Sequence, residues 1–100
     1  MNYLKQPTYR SKAWLKAVAS LPCVLCMTTG RTQAAHINRG KGMGLKTHDC
    51  WTAALCVECH SAIDQGKDMS KDDRRRTMDM AVLLTIAELA SAGLLKCSTS

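Results

Sequence analysis

The chain has 100 residues, with 14 Lys and Arg against 8 Asp and Glu, which gives a formal net charge of +6. It contains no Phe, two Trp and two Tyr, so a large aromatic core is excluded, and no stretch is apolar for long enough to span a bilayer. We therefore predict one small domain, residues 1–100, that needs a further source of stability such as a bound metal, and a polyanionic partner.

The first predicted element is a short helix that Ser11 can cap and that ends before Pro22. Before this helix, charged residues are mixed with apolar ones, and there is no apolar run of the kind that marks a secretory signal. We therefore expect a reducing compartment, where the six cysteines are metal ligands or free thiols rather than disulfides. We expect neither a membrane partner nor a small-molecule cofactor.

Two short strands are predicted next, "TQAAHI" ending near His36 and "WTAALC" beginning near Trp51. We expect them to pair as a β-hairpin with a long connection. That connection, "NRGKGMGLKTHD", is rich in glycine and in basic residues. We predict a cationic loop in which Arg39, Lys41 and Lys46 contact the phosphates of a nucleic acid without sequence preference.

Two helices are predicted after the second strand. "CVECHSAIDQG" is typical of a turn that runs into a helix ended by Gly66. A longer helix is predicted over about residues 71–93, with Ser70 as its N-cap. Apolar residues recur on it at helical spacing: Met78, Val82, Ile86 and Leu89.

Four of the cysteines form two CxxC pairs that are separated by the predicted hairpin. They are Cys23 and Cys26, and Cys56 and Cys59. Two such pairs separated by a hairpin let four thiolates converge on one tetrahedral Zn²⁺, whereas unrelated buried thiols would not show this paired spacing. We therefore predict a structural zinc ion. Cys50 and Cys97 lie outside this scheme and are expected to be ordinary half-buried thiols.

This order of features resembles the HNH, or ββα-metal, nucleases, which are built on a zinc-bound treble clef. "AHINRGKGMGLKTHDCW" followed by "CVECHSAID" is similar, more narrowly, to the small prophage-encoded proteins of the YbcO type, and the resemblance covers roughly residues 21–66. It implies a small α+β treble clef with a short β-hairpin and flanking N- and C-terminal helices. It also implies a metal-dependent endonuclease that hydrolyses phosphodiester bonds in DNA, in the cytoplasm of a bacterial host cell.

The resemblance assigns the chemistry to the histidines and leaves the cysteines structural. His36 matches the histidine that polarises the attacking water, and His60 matches the metal-binding residue that opens the helix. An imidazole can accept a proton near neutral pH, which suits a general base. The implied catalytic cofactor is Mg²⁺ or Mn²⁺, which neutralises charge on the phosphoryl oxygens.

The chain departs from the family pattern at the second metal ligand. Many of these nucleases have an acidic residue directly before the strand histidine, where this chain has Ala35. Because hard cations need carboxylate oxygens, Asp64, one helical turn after the metal-binding histidine, is the first candidate for the missing ligand. Asp49 and His48 are the alternatives. The central Asn of the family falls near residues 49–51, and none of these is Asn.

A catalytically inactive zinc module that binds DNA or a protein partner is the alternative hypothesis. Ala35 and the missing Asn favour it. The two hypotheses differ in one structural expectation, because an enzyme requires His36, His60 and Asp64 to converge in a shared cleft.

Overall fold

The computed structural model describes residues 8–37, 48–65 and 69–95, which form three helices and a two-stranded sheet. The elements follow one another as α1 (Lys12–Ala19), β1 (Thr32–His36), β2 (Thr52–Cys56), α2 (Val57–Gln65) and α3 (Lys71–Ser91). This α+β arrangement confirms the predicted hairpin between flanking helices.

Several residues singled out in the sequence lie outside the described ranges. They are Arg39, Lys41, Lys46, Gly66 and Cys97. Within the described ranges, no helix combines the length and the apolar character that crossing a bilayer requires.

Both predicted helix caps are formed. The Ser11 hydroxyl accepts a hydrogen bond from the backbone N–H of Trp14, and the Ser70 hydroxyl accepts one from the backbone N–H of Asp73. Each hydroxyl satisfies a donor that the first turn of a helix leaves without a partner. Just beyond the end of α3, Gly93 has a φ of 75°, a backbone conformation that glycine adopts without steric cost.

β1 and β2 pair antiparallel, in a register that sets His36 opposite Thr52. Because successive strand residues point to opposite faces, Gln33 and Ala35 share one face of β1, while Ala34 and His36 share the other. This alternation decides on which side of the hairpin each candidate site residue lies.

Two hydrophobic clusters pack around the hairpin. The buried residues of the first cluster, on the α2 side, are Cys23, Ala35, Ala53, Leu55, Cys56, Ile63 and Ala81. Those of the second cluster, on the α1 side, are Val18, Leu21, Ala54 and Leu89. Neither set of buried residues contains an aromatic ring, as the composition led us to expect. The first cluster includes two of the predicted zinc ligands, so the metal site and the core are continuous.

The buried face of α3 differs in part from the apolar stripe that the sequence predicted. Met78 and Val82 pack against the first cluster and Leu89 is buried in the second. The fully buried positions nearest β2 are Ala81 and Thr85. Small residues at the contact let the helix backbone approach the strand closely, which a stripe of large side chains would prevent.

Thr85 closes the outer edge of β2. Its hydroxyl accepts a hydrogen bond from the backbone N–H of Ala54 at 2.8 Å and donates one to the carbonyl of Ala81 at 2.7 Å. The carbonyl of Ala54 accepts a hydrogen bond from the backbone N–H of Val24 at 2.9 Å. The backbone groups of Ala54 that point away from β1 are therefore satisfied by a side chain and by a turn instead of by a third strand.

We expect Thr85→Val to lower the free energy of unfolding by about 1–3 kcal/mol, because the Ala54 N–H would stay buried without an acceptor while the side-chain shape is almost unchanged. Thr77→Val is the matched control. The Thr77 hydroxyl also donates to the carbonyl four residues earlier, that of Asp73, but at an exposed position. Urea denaturation of both variants measures the difference, and equal losses of stability would contradict the edge-closing role of Thr85.

Candidate functional site

The cysteines of the two CxxC pairs meet at one point. Cys23 and Cys26 lie in the turn before β1, Cys56 ends β2, and Cys59 lies in the first turn of α2. Their four sulfur atoms all lie within 4.8 Å of one another, and the Sγ atoms of Cys26 and Cys56 are 3.6 Å apart. Four sulfurs around a tetrahedral ion with bonds of about 2.3 Å stand about 3.8 Å from one another. The four-cysteine cluster therefore fits a metal ion such as zinc.

The turn that carries the first pair is tied to the sheet by backbone hydrogen bonds. The N–H of Cys23 donates to the carbonyl of Thr28 at 2.9 Å, and the N–H of Met27 donates to the carbonyl of Cys23 at 2.8 Å. Met27 has a φ of 66°, which is uncommon for a residue with a side chain. The adjacent Val24 bonds to Ala54 of β2, so the position of this turn is fixed relative to the second pair.

The pKa values of the thiols are shifted in opposite directions. Burial would raise the pKa of Cys23, but backbone hydrogen bonds from Cys56 and from the turn outweigh it and lower the pKa to about 6. The hydroxyl and backbone of Thr28 lower the pKa of Cys26. Burial and the neighbouring sulfurs raise the pKa of Cys59. Because adjacent thiolates repel one another, all four ionise together only around a bound cation.

The structure brings His60 and Asp64 together on α2, as the sequence predicted. The Nε2 atom of His60 is 3.3 Å from Oδ2 of Asp64, one helical turn later. On the other side of the ring, Nδ1 is 3.0 Å from Oε1 of Gln33 on β1. The amide oxygen of Gln33 can only accept, so Nδ1 carries a proton and, in the neutral ring, Nε2 turns a lone pair towards the carboxylate.

A nitrogen and an oxygen that face each other in this way need a proton or a cation between them. Two neighbouring ligands on an octahedral cation, with bonds of about 2.1 Å, stand about 3 Å apart, close to the spacing of His60 and Asp64. Both side chains are partly exposed, at 31% and 57%, which leaves room for the water ligands that Mg²⁺ retains. Arg74 of α3 donates to the carbonyl of Asp64 at 3.3 Å and so supports the end of α2.

His36, at the end of β1, forms a second histidine–aspartate pair. Its Nε2 atom is 3.0 Å from Oδ1 of Asp49, a residue that is only 5% exposed. The same carboxylate accepts hydrogen bonds from the backbone N–H of Ser11 at 2.8 Å and from Arg10 at 3.2 Å. An ionised carboxylate can only accept, so Nε2 of His36 carries a proton and Nδ1 is the nitrogen that can take one up.

The two histidine pairs lie on opposite faces of the hairpin. Gln33, which contacts His60, and His36 are three positions apart on β1, and residues an odd number of positions apart point to opposite faces. His36 therefore does not face α2. Ala35 does, and it packs in the first hydrophobic cluster. This arrangement differs from the single shared cleft that the sequence led us to expect.

Asp49 and His48, the alternative metal ligands predicted from the sequence, both form hydrogen bonds on the His36 side of the hairpin. Asp49 contacts His36, Ser11 and Arg10, as described above. The Nδ1 atom of His48 accepts a hydrogen bond from the backbone N–H of Tyr9 at 2.8 Å. Asp64 is therefore the carboxylate that the structure places beside His60.

Sequence reasoning missed two side chains that contact these pairs, Gln33 and Arg10. Gln33 could have been found, because it lies two positions before Ala35 and thus on the strand face where the resemblance placed a metal ligand. For Arg10 there is no local signal, because it contacts a residue 39 positions away along the chain.

The surroundings of Asp49 predict an effect of pH on stability. The backbone N–H of Ser11, followed by His36 and Arg10, lowers the pKa of this carboxyl although burial opposes the shift. A carboxyl whose pKa is lower in the folded state stabilises the protein above its unfolded pKa, about 3.9, and this contribution is lost as the pH falls through the folded value. We therefore expect the melting temperature of Asp49→Asn to change less between neutral and acid pH than that of the wild type.

Asp64→Asn is the control for this measurement, because Asp64 is largely exposed and any acid-induced loss of metal affects both variants alike. The melting temperatures of the wild type, Asp49→Asn and Asp64→Asn are measured across the acid range. Parallel curves for the wild type and Asp49→Asn would contradict the role given to the Asp49 hydrogen bonds.

Comparison with known proteins gives a family match. Residues 1–90 match the model of a family described as "Protein of unknown function (DUF968)". No curated protein and no solved structure matches the chain. The function has therefore to be inferred from the residues and contacts described above.

Proposed function

The chain belongs to the DUF968 family, and we propose that it is a metal-dependent endonuclease that hydrolyses phosphodiester bonds in DNA on a zinc-bound treble clef. The observation that carries this proposal is the His60–Asp64 pair, whose 3.3 Å separation suits a small hard cation. The pair directly follows the last residue of the four-cysteine cluster. The resemblance of the sequence to HNH nucleases, including prophage-encoded ones, supports the same activity.

A zinc ion in the four-cysteine cluster would fix the start of α2. Cys59 would be a ligand, so His60, the next residue, would be held in place by its neighbour. Gln33 orients the His60 ring from β1, and outer contacts of this kind keep a ligating nitrogen directed at the metal. The zinc is structural in this proposal and takes no part in the chemistry.

The second cation, Mg²⁺ or Mn²⁺, would be held by Nε2 of His60 and Oδ2 of Asp64. Once bound, it would supply positive charge to the phosphoryl and leaving oxygens of the substrate. The +6 net charge of the chain favours approach of the DNA backbone. We propose that Arg39, Lys41 and Lys46 contribute phosphate contacts.

His36 would act as the general base. Its Nδ1 would accept a proton from water, while Asp49 holds the ring in one orientation and stabilises the charge that develops on it. Among the described residues, β1 pairs only with β2. This role requires one phosphate of the DNA to reach both Nδ1 of His36 and the His60–Asp64 pair, which lie on opposite faces of the hairpin.

The second candidate function is a zinc-stabilised module that binds DNA or a protein and cleaves nothing. The observation that favours it is the placement of His36 and His60 on opposite faces, since catalysis needs both near one phosphate. Cleavage assays distinguish the two functions directly.

The test is incubation of the purified protein with plasmid, duplex and single-stranded DNA, with and without Mg²⁺ or Mn²⁺. We expect cleavage that depends on the divalent cation and is lost in His60→Ala and Asp64→Ala, with His60→Ala weakening the response to added cation most. Glu58→Ala is the matched control, because Glu58 lies on the same helix and is exposed and paired with Arg31 at 2.7 Å. DNA binding without cleavage of any substrate form would contradict the nuclease and favour the binding module.

A further inference from the structure

Exposed aromatic side chains lie beside the His36–Asp49 pair. Tyr9 and Trp51 are 44% and 42% exposed, and neither belongs to the two hydrophobic clusters. The ring of His48 contacts the ring of Trp51 edge-on, with centroids 4.5 Å apart. The ring of Tyr9 also contacts the ring of Trp14 edge-on, with centroids 6.3 Å apart, and Trp14 packs against the second cluster. Trp51 belongs to neither cluster, and in a chain with so few large apolar side chains its exposed ring calls for an explanation other than folding.

These rings, which we call the aromatic patch (Tyr9, His48 and Trp51), are held by backbone hydrogen bonds. The N–H of Trp51 donates to the carbonyl of His48 at 3.0 Å, and the carbonyl of Trp51 accepts from the N–H of Ile37 at 3.2 Å. Tyr9 bonds through its N–H to the ring of His48 and through its carbonyl to the N–H of Asp49, at 2.8 and 2.9 Å. The patch is thus joined to the carboxylate that orients His36.

Positive charge lies next to the patch. Arg10 follows Tyr9 directly, and its side chain is 57% exposed although it contacts Asp49. The chain as a whole carries a formal net charge of +6. An exposed ring with cations beside it has the chemistry that binds a nucleotide, since the base stacks and the phosphate pairs with the cation.

We propose that the aromatic patch stacks on unpaired bases, so that the substrate of the proposed nuclease is single-stranded DNA or an unpaired segment of DNA. In a duplex the faces of the bases are covered by one another and only their edges are accessible, so Trp51 could stack only on a base that is unpaired. This inference rests on the proposed function for the chemistry, and it adds the substrate class.

The test measures binding apart from cleavage. A fluorescein-labelled oligothymidylate and a duplex of the same length are titrated with the protein by fluorescence anisotropy, with no divalent cation added. We expect tighter binding to the single strand, a loss of about 5- to 150-fold in that affinity for Trp51→Ala, and near wild-type affinity for Trp51→Phe. Leu83→Ala is the matched control, because Leu83 is an exposed apolar residue on α3, at 61% exposure.

A second readout reports on the ring itself. In a Trp14→Phe variant, all tryptophan emission comes from Trp51, and we expect oligothymidylate to quench it. Unchanged single-strand affinity in Trp51→Ala, or no quenching in Trp14→Phe, would overturn the proposal. If Trp51→Ala loses single-strand affinity but the wild type cuts no DNA, the stacking stands and the nuclease fails. If the wild type cuts duplex DNA and Trp51→Ala cuts it equally fast, the nuclease activity is confirmed and the proposed unpaired substrate is contradicted.

Discussion

Removal of the zinc that we propose for the four-cysteine cluster, with a strong chelator, is expected to unfold the domain. Structural zinc contributes about 10–16 kcal/mol to the folding of small zinc-finger peptides at neutral pH, which is comparable with the whole stability, about 5–15 kcal/mol, of a typical domain. Cys23 and Cys56 are also members of the first hydrophobic cluster, so loss of the metal would remove the link that holds this part of the core together. Circular dichroism melts with and without chelator, together with metal analysis, measure the effect.

Cysteine variants provide the control for this experiment. Cys56→Ser should lose the zinc and melt at a much lower temperature, or not fold. Cys50→Ser should keep one zinc per chain and melt near the wild-type temperature, because Cys50 lies outside the four-cysteine cluster. A wild-type protein without zinc, or a Cys56→Ser variant as stable as Cys50→Ser, would show that the cluster does not bind a structural metal.

His36→Ala is expected to cut DNA about 10²- to 10⁴-fold more slowly than the wild type, the usual cost of removing a positioned general base. Zinc content should be unchanged, because His36 is not in the four-cysteine cluster. Asp49→Asn should reduce the rate less, since it removes the carboxylate that orients the ring but leaves the base itself. Single-turnover cleavage rates at saturating Mg²⁺ or Mn²⁺ measure both effects.

A structural histidine and a general base respond differently to added imidazole. If His36 is the base, imidazole in solution should restore part of the activity of His36→Ala, and no such rescue is expected for His60→Ala. Glu58→Ala is the control for a non-specific effect of imidazole, because Glu58 is exposed, pairs with Arg31 and contacts neither histidine pair in the bonds described. Normal cleavage by His36→Ala would remove His36 from the mechanism.

The elements and the four-cysteine cluster were predictable because local patterns specify them. Ser11 and Ser70 begin helices through a hydroxyl that bonds three residues ahead, and such contacts can be read from spacing alone. The His60–Asp64 pair follows in the same way from helical periodicity. The two CxxC pairs needed only the hairpin between them to bring their four sulfurs together.

The partners of His36 were not predictable, because they come from distant parts of the chain. Asp49 is held by Ser11 across 38 positions, a contact that depends on how the N-terminal segment packs and leaves no periodic signal. The separation of the two histidine pairs was readable in principle. Strand alternation puts the neighbours Ala35 and His36 on opposite faces, so they cannot both face α2. The resemblance led us to expect His36 on that side because it carries no information about this alternation.

The closed edge of β2 limits how this protein can misassemble. Strand-mediated growth of a fibre needs two open edges on each molecule, so that every added copy offers a new one. Here Thr85 and Val24 occupy one edge, and among the described residues no second strand pairs with the other edge, that of β1. Pairing of two native copies through β1 would consume the open edge of both, and strand addition would end at a dimer instead of propagating.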